Sequence, residues 1–186
     1  MRRSTGNLAG FAPKIYRKYA DKLQEMFERM PDLQRIVSKS VFPTASFDFR
    51  NGRPCHASDG QAGWCSLTAG GDFDPHTGGH LFLPQARLIV EFPPGATVLI
   101  PSTLVYGIVP VPRGQTRYTF AQYTPVDVVR YIDNGYRTRR DVFRETTSDL
   151  TRDDASKSLM RLQDDLKLLS CFDELHNDRV SMGVVA

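Results

Sequence analysis

The chain has 186 residues, of which 40% are hydrophobic and 24% charged, so one globular domain with a sizeable core is expected and a disordered chain is excluded. A net charge of +3 is too small to argue nucleic-acid binding by itself. The basic residues Arg2, Arg3 and those from Arg137 to Arg144 read as solvated surface.

Taken in order, residues 1–12 form a polar, glycine-containing arm. From Pro13, apolar residues recur at three- and four-residue steps (Ile15, Tyr16, Tyr19, Leu23, Met26, Phe27, Met30) with Lys and Arg between them. That spacing predicts an amphipathic helix from Pro13 to Met30, packed by one face on a sheet. Asp32 to Val37 adds a short second helix. Ala45 to Phe49 reads as extended, with Ser46 and Asp48 alternating against Phe47 and Phe49.

Arg50 to Ala62 is a loop by composition and carries Cys55, His56, Asp59 and Gln61. A His and a carboxylate just ahead of a strand leave two readings open, a surface hydrogen-bonding pair or two ligands of a non-haem iron site.

The stretch from Gly63 to Tyr123 holds most strand and turn signals. Gly63 to Ala69, His80 to Leu83, Arg87 to Phe92, Thr97 to Pro101, Leu104 to Val111 and Thr116 to Tyr123 read as strands, punctuated by Gly70 to Gly79, Phe92-Pro93-Pro94-Gly95 and Pro112 to Gln115. Thr97 to Pro101 is expected to return as a hairpin on the strand before it. About six strands in about sixty residues favour a closed barrel or sandwich over a fold with crossover helices.

In the last strand, alternation puts Arg117, Thr119 and Ala121 on one face. An arginine turned into a small barrel is an expensive charge unless it meets an anion, and its fork beside a hydroxyl suits a carboxylate. The other reading is a rim arginine paired with Glu91. Beyond the barrel, Val126 to Arg130, Tyr131 to Tyr136 and Arg137 to Arg144 read as a turn and a helix covering one end. Ser156 to Leu175, with Leu159, Leu162, Leu166, Leu169 and Phe172 in a stripe, reads as a helix packed on its own domain. Cys55, Cys65 and Cys171 fit neither a disulfide framework nor a zinc ribbon, so a reducing compartment is expected. With no apolar run near the ~18 residues of a membrane span, the expected setting is intracellular, nuclear or cytoplasmic, with no membrane partner.

Several phrases together carry a resemblance: Phe42-Pro43, Ser46-Phe47-Asp48-Phe49, Gly63-Trp64-Cys65, Gly71-Asp72-Phe73-Asp74-Pro75, Gly78-Gly79-His80-Leu81, Phe92-Pro93-Pro94-Gly95, Ile100-Pro101-Ser102 and Gly114-Gln115-Thr116-Arg117-Tyr118. From about Pro13 to Arg144 the chain resembles the TET/JBP-like Fe(II)/2-oxoglutarate dioxygenases found in fungal, transposon-associated proteins. The resemblance implies an α+β fold, a double-stranded β-helix (jelly-roll or cupin-like) with an N-terminal helix and C-terminal helices. The domain would span residues 13–150, followed by a helical extension over 151–186.

The same resemblance implies that Arg117 and Thr119 hold 2-oxoglutarate and that Fe(II) is held by a His-x-Asp pair and a distal His. His56 matches the proximal His. Asp59 is the carboxylate, but it falls three residues on rather than two, and residues i and i+3 of a strand do not share a face. The distal position falls on Tyr106, eleven residues before Arg117, where the family has His. His76 and His176 read as surface, and His80 as structural. The implied partner is nucleic acid, whose modified base an active relative would oxidise after flipping it into the pocket. With the metal set incomplete, the reading is a dioxygenase-like domain of weak or no catalysis. The alternative is an active oxygenase of that class.

Overall fold

The computed structural model describes residues 10–32, 34, 37, 40–56, 61–102, 104–138, 140–142, 160, 163–164 and 166–183, with backbone alone for 53–56 and 61–63. Helix α1 (Pro13–Arg29) opens on a proline at its first turn, where a missing N–H removes no helical bond. Eight strands follow: β1 (Thr44–Asp48), β2 (Arg53–His56), β3 (Gln61–Asp72), β4 (Leu81–Leu83), β5 (Leu88–Val90), β6 (Thr97–Pro101), β7 (Tyr106–Ile108) and β8 (Thr116–Pro125). Helix α2 (Val126–Asp133), a 3-10 turn (Phe172–Glu174) and helix α3 (Leu175–Ser181) come after them.

The strands form two four-stranded antiparallel sheets, ordered β1-β8-β3-β6 and β2-β7-β4-β5. The topology is that of one long hairpin wound up: β4 and β5 meet at the Pro84 to Arg87 turn, then β3 pairs with β6, β2 with β7 and β1 with β8. This is the double-stranded β-helix. The expected hairpin between the fifth and sixth strands does not form, because β6 leaves for the other sheet and pairs with β3. Two prolines and a glycine at 93–95 supply the bend that carries the chain across, and Gly95 N–H donates to the Ala69 carbonyl at 2.8 Å.

Alternation along β3 and β8 builds both sides of the larger sheet. Cys65, Leu67, Ala69 and Ala121 turn inward, to a core with Phe73, Leu81, Phe92, Ile100, Tyr106 and Ile108. Trp64 turns outward and meets Ala12, Ile15, Val41 and Phe42 beneath α1. Gln122 also lies on the outer face and donates to Ser40 Oγ at 2.7 Å. The β3–β8 register shifts between Ala62 and Ser66. Within that shift the Trp64 backbone N–H donates to the Tyr19 hydroxyl at 2.9 Å, which ties the helix to the sheet. Further along the outer face, Phe47 stacks with Phe49 and meets Phe120 at a tilt, and Tyr118 lies against both Phe47 and Phe49.

Other expectations are corrected as well. Residues 53–56 and 61–62, read as loop, are strand; β2 is an edge strand, where Pro54 is tolerated, and its pairing with β7 is a tertiary contact that local composition does not encode. Strand β3 runs through Gly70 and Gly71 to Asp72 instead of stopping at Ala69. Residues Gly10 to Ala12 are not a loose arm: Ala12 is buried, and the Gly10 carbonyl accepts from Arg179 Nε at 2.6 Å. The helix expected from Ser156 to Leu175 is interrupted, with no helix at 168–171; Leu166, Leu169 and Phe172 are exposed, Leu168 packs against the cluster beneath α1, and Leu159 and Leu162 lie outside the described residues. The short helix expected from Asp32 to Val37 begins instead with a turn at Pro31 and Asp32, and positions 33, 35 and 36 lie outside the described residues.

Removing the helix-to-sheet tie should be measurable. Tyr19→Phe keeps the ring and leaves the Trp64 N–H without its acceptor, so a loss of about 1–2 kcal/mol is expected in urea denaturation. An unchanged midpoint would show that the hydroxyl contributes nothing to docking α1.

Candidate functional site

Arg117 and Thr119 lie on the inner face of β8, between β1 and β3. Cross-strand neighbours share a face, so the residues beside them on β3 are Gly71 and Ala69, the two smallest side chains available. Gly71 has φ +115°, a conformation that L side chains rarely adopt, and any Cβ there would strike the Thr116 carbonyl. The result is a close approach of the β3 backbone to the β8 backbone beside the arginine. Gly79, at φ +75°, leaves room in the same way for the Phe73 ring.

Arg117 is only 5% exposed. Its Nη1 donates to Thr119 Oγ1 at 2.8 Å, while Nε and Nη2 are buried with no hydrogen-bond partner among the described residues. The Phe73 and Phe92 rings each lie 5.7 Å from its Cζ, within the range of cation–π attraction. Burial nevertheless pushes its pKa down to about 10, and the charge of Asp48 offsets that only in part. The expectation that Arg117 and Thr119 share the inner surface holds. The alternative pairing with Glu91 is not formed: that carboxylate is exposed and stands 3.5 Å from His76 Nδ1.

Two residues that were not singled out from sequence belong to the same place. Asp48 is the β1 register partner of Thr119, which puts its carboxylate on the inner side near the mouth. Arg50 chelates it, with Nε donating to Oδ1 at 2.8 Å and Nη2 to Oδ2 at 2.6 Å. The Arg50 backbone N–H also donates to Oδ1, at 3.1 Å. These bonds raise the Arg50 pKa, and Tyr106 is near enough to add to the effect. The signal was available in the alternation of Ser46 and Asp48, extended two residues to Arg50.

The three expected metal donors fare differently. His56 closes β2 directly opposite Tyr106 of β7. Asp59 lies outside the described residues, as does the His56 side chain. Tyr106 is 2% exposed and sits in the apolar core cluster. Among the described residues no group of three or more His, Cys, Asp or Glu side chains could hold a metal ion. A phenol packed among apolar groups does not fit the imidazole position of a two-His, one-carboxylate face, so nothing in the chemistry below runs through a metal. His76 is exposed in the Asp74 to Gly79 turn, His176 is exposed in α3, and His80 stands at the entry to β4, where its carbonyl accepts from the Val109 N–H. No helix among the described residues is long and apolar enough to cross a membrane.

No protein-family model matches the sequence, and no curated protein does. Among solved structures, NgTET1 in complex with 5mC DNA is similar at 14% identity and a TM-score of 0.43, over 59% of this chain and 48% of that one. This chain therefore spans about half the length of that structure. A Pseudomonas putida prolyl-4-hydroxylase is similar at 14% identity and a TM-score of 0.35, over 66% of this chain and 91% of that one. An RmlC-like cupin protein from Desulfovibrio desulfuricans is similar at 12% identity and a TM-score of 0.29, over 49% and 95%.

An arginine whose folded pKa lies below its free value is a charge that the fold disfavours. The unfolded chain then holds that proton more tightly, so the penalty is fully present at neutral pH and fades only as pH rises through about 10. Arg117→Met, similar in length and uncharged, is expected to stabilise the ligand-free protein by about 1–3 kcal/mol in urea denaturation. Destabilisation instead would mean that the guanidinium is already compensated.

Proposed function

We propose that this domain is a dicarboxylate-binding double-stranded β-helix of the 2-oxoglutarate-oxygenase type, with a degenerate metal site and weak or no catalysis. The observation that carries the reading is the buried Arg117 guanidinium with Nε and Nη2 unpartnered. Those two nitrogens form one edge of the guanidinium, and two parallel N–H donors on one edge match the two oxygens of a carboxylate. Thr119 holds Nη1 and so fixes the direction of that edge. The Phe73 and Phe92 rings flank the guanidinium and exclude water from it, which strengthens the charge-assisted bonds. In this reading 2-oxoglutarate is the natural probe.

The finer placement among fungal, transposon-associated TET/JBP-like proteins rests on the sequence phrases, as does nucleic acid as a partner. His56, Asp59 and Tyr106 remain the proposed metal positions. Losing an imidazole donor should weaken Fe(II) binding sharply, because the freed position reverts to water as in the free ion.

Calorimetric and thermal-shift titrations test the two halves separately. With 2-oxoglutarate at about 100 times its Kd, roughly 2.7 kcal/mol of stabilisation is expected for the wild type and none for Arg117→Met. That gain is large enough to cancel or reverse the advantage of the variant seen without ligand. Fe(II) or Mn(II) should bind weakly, 2-oxoglutarate should turn over at background rate, and Tyr106→His alone should restore little. Tight uptake of one equivalent of metal, abolished by His56→Ala, would overturn the degenerate reading and return the alternative, an oxygenase acting on a modified nucleic-acid base, to first place.

A further inference from the structure

The edge that Arg117 leaves open is the edge that Arg50 uses. Arg50 grips both oxygens of Asp48 through Nε and Nη2, and Arg117 presents the same pair of nitrogens, buried and empty. Asp48 is not remote from the pocket. It stands opposite Thr119 in the β1–β8 register, and Thr119 is the residue bonded to Arg117. Asp48 is also the carboxylate whose charge reaches Arg117. One interior carboxylate therefore has two arginines within its neighbourhood, one on the exposed rim and one in the barrel.

We infer that Arg50 is a positioning residue for the pocket: by chelating Asp48 it keeps that carboxylate off Arg117 and leaves the Arg117 edge available to an incoming anion. The inference rests on the reading of Arg117 as the anion-binding group. Without the Arg50 guanidinium, Asp48 would be drawn toward Arg117, because opposite charges attract more strongly across a low-dielectric interior than across bulk water. The pocket would then be closed by a group of its own chain. Arg50 is mostly exposed, so removing it creates no cavity. Lysine is a poor substitute, since a single ammonium cannot chelate both oxygens in a fixed plane.

The test has one arm without ligand and one with it. In urea denaturation, the non-additivity of Asp48→Asn and Arg117→Gln is measured in the wild-type background and again in Arg50→Ala. The coupling between Asp48 and Arg117 should be small when Arg50 is present and at least threefold larger when it is absent; equal coupling in both backgrounds overturns the inference. In calorimetry with 2-oxoglutarate, Arg50→Ala should weaken binding at least tenfold, Arg50→Lys by an intermediate factor, and Arg50→Ala/Asp48→Asn should return to within about threefold of wild type, the tenfold step being about 1.4 kcal/mol. Undiminished binding in Arg50→Ala, or no recovery in the double variant, also overturns it. If the wild type takes up no 2-oxoglutarate, the dicarboxylate reading falls, while the ligand-free coupling still decides whether Arg50 restrains Asp48.

Discussion

Strand β8 is hydrogen-bonded on both edges, to β1 on one side and to β3 on the other, and this double ladder fixes everything that the inner face presents. Its register sets the rows across the sheet: Ser46, Ala121 and Leu67; Asp48, Thr119 and Ala69; then Arg117 beside Gly71. A slip of one residue would send Arg117 outward and bring Tyr118 in, because side chains alternate with a period of two. The outer face resists such a slip. Phe120 packs on Phe47, and Gln122 bonds to Ser40, so the same backbone is locked from both sides. The direction of Arg117 is therefore a property of the sheet as a whole and not of its own rotamer.

Within that frame the arginine is an electrostatic liability held by partial compensation. Thr119 satisfies one nitrogen, and two phenyl rings offer cation–π attraction of about 0.5–2 kcal/mol each. Burial of the guanidinium outweighs the charge of Asp48, so its pKa is pushed down to about 10. The imbalance is what makes the site directional. An apolar side chain in that place would fill the barrel more stably, whereas a charge with two free donors gains most when a carboxylate arrives.

Much of the barrel was legible in sequence because its strands are apolar runs between hard stops. Thr97 to Pro101 and Thr116 to Tyr123 match β6 and β8 closely, and the inward set of Arg117, Thr119 and Ala121 follows from alternation alone. What could not be read was pairing. β2 contains Pro54 and comes after an Asn-Gly turn, so its composition signals a loop, and it becomes a strand only because β7 lies beside it. The partner of β6 was misassigned for the same reason, since nothing local distinguishes a hairpin from a crossing between sheets. The C-terminal stripe failed differently. A helical period at Leu166, Leu169 and Phe172 gives spacing but no partner, and the packed residue is Leu168, off the stripe. Arg50 escaped notice because it lies just beyond β1, where the alternation of Ser46 and Asp48 has to be carried two residues past the strand to reach it.

The two halves of the proposed site belong to different sheets, and this decides how separable they are. Arg117, Thr119 and Asp48 sit on β8 and β1, inside the ladder on which the fold depends. His56 and Tyr106 face each other across β2 and β7, where β2 is a short edge strand with an irregular register. Tyr106 packs in the same core cluster as Leu67, Ala69 and Ala121, so the two sheets share one interior even though the register of β1, β8 and β3 is set within the larger sheet. Residues 48–56 are one of the connections between them: they leave the larger sheet at Asp48, pass Arg50 and reach the smaller sheet at Arg53. That short connection places the Arg50–Asp48 clamp between the two halves, next to Tyr106 on one side and Thr119 on the other.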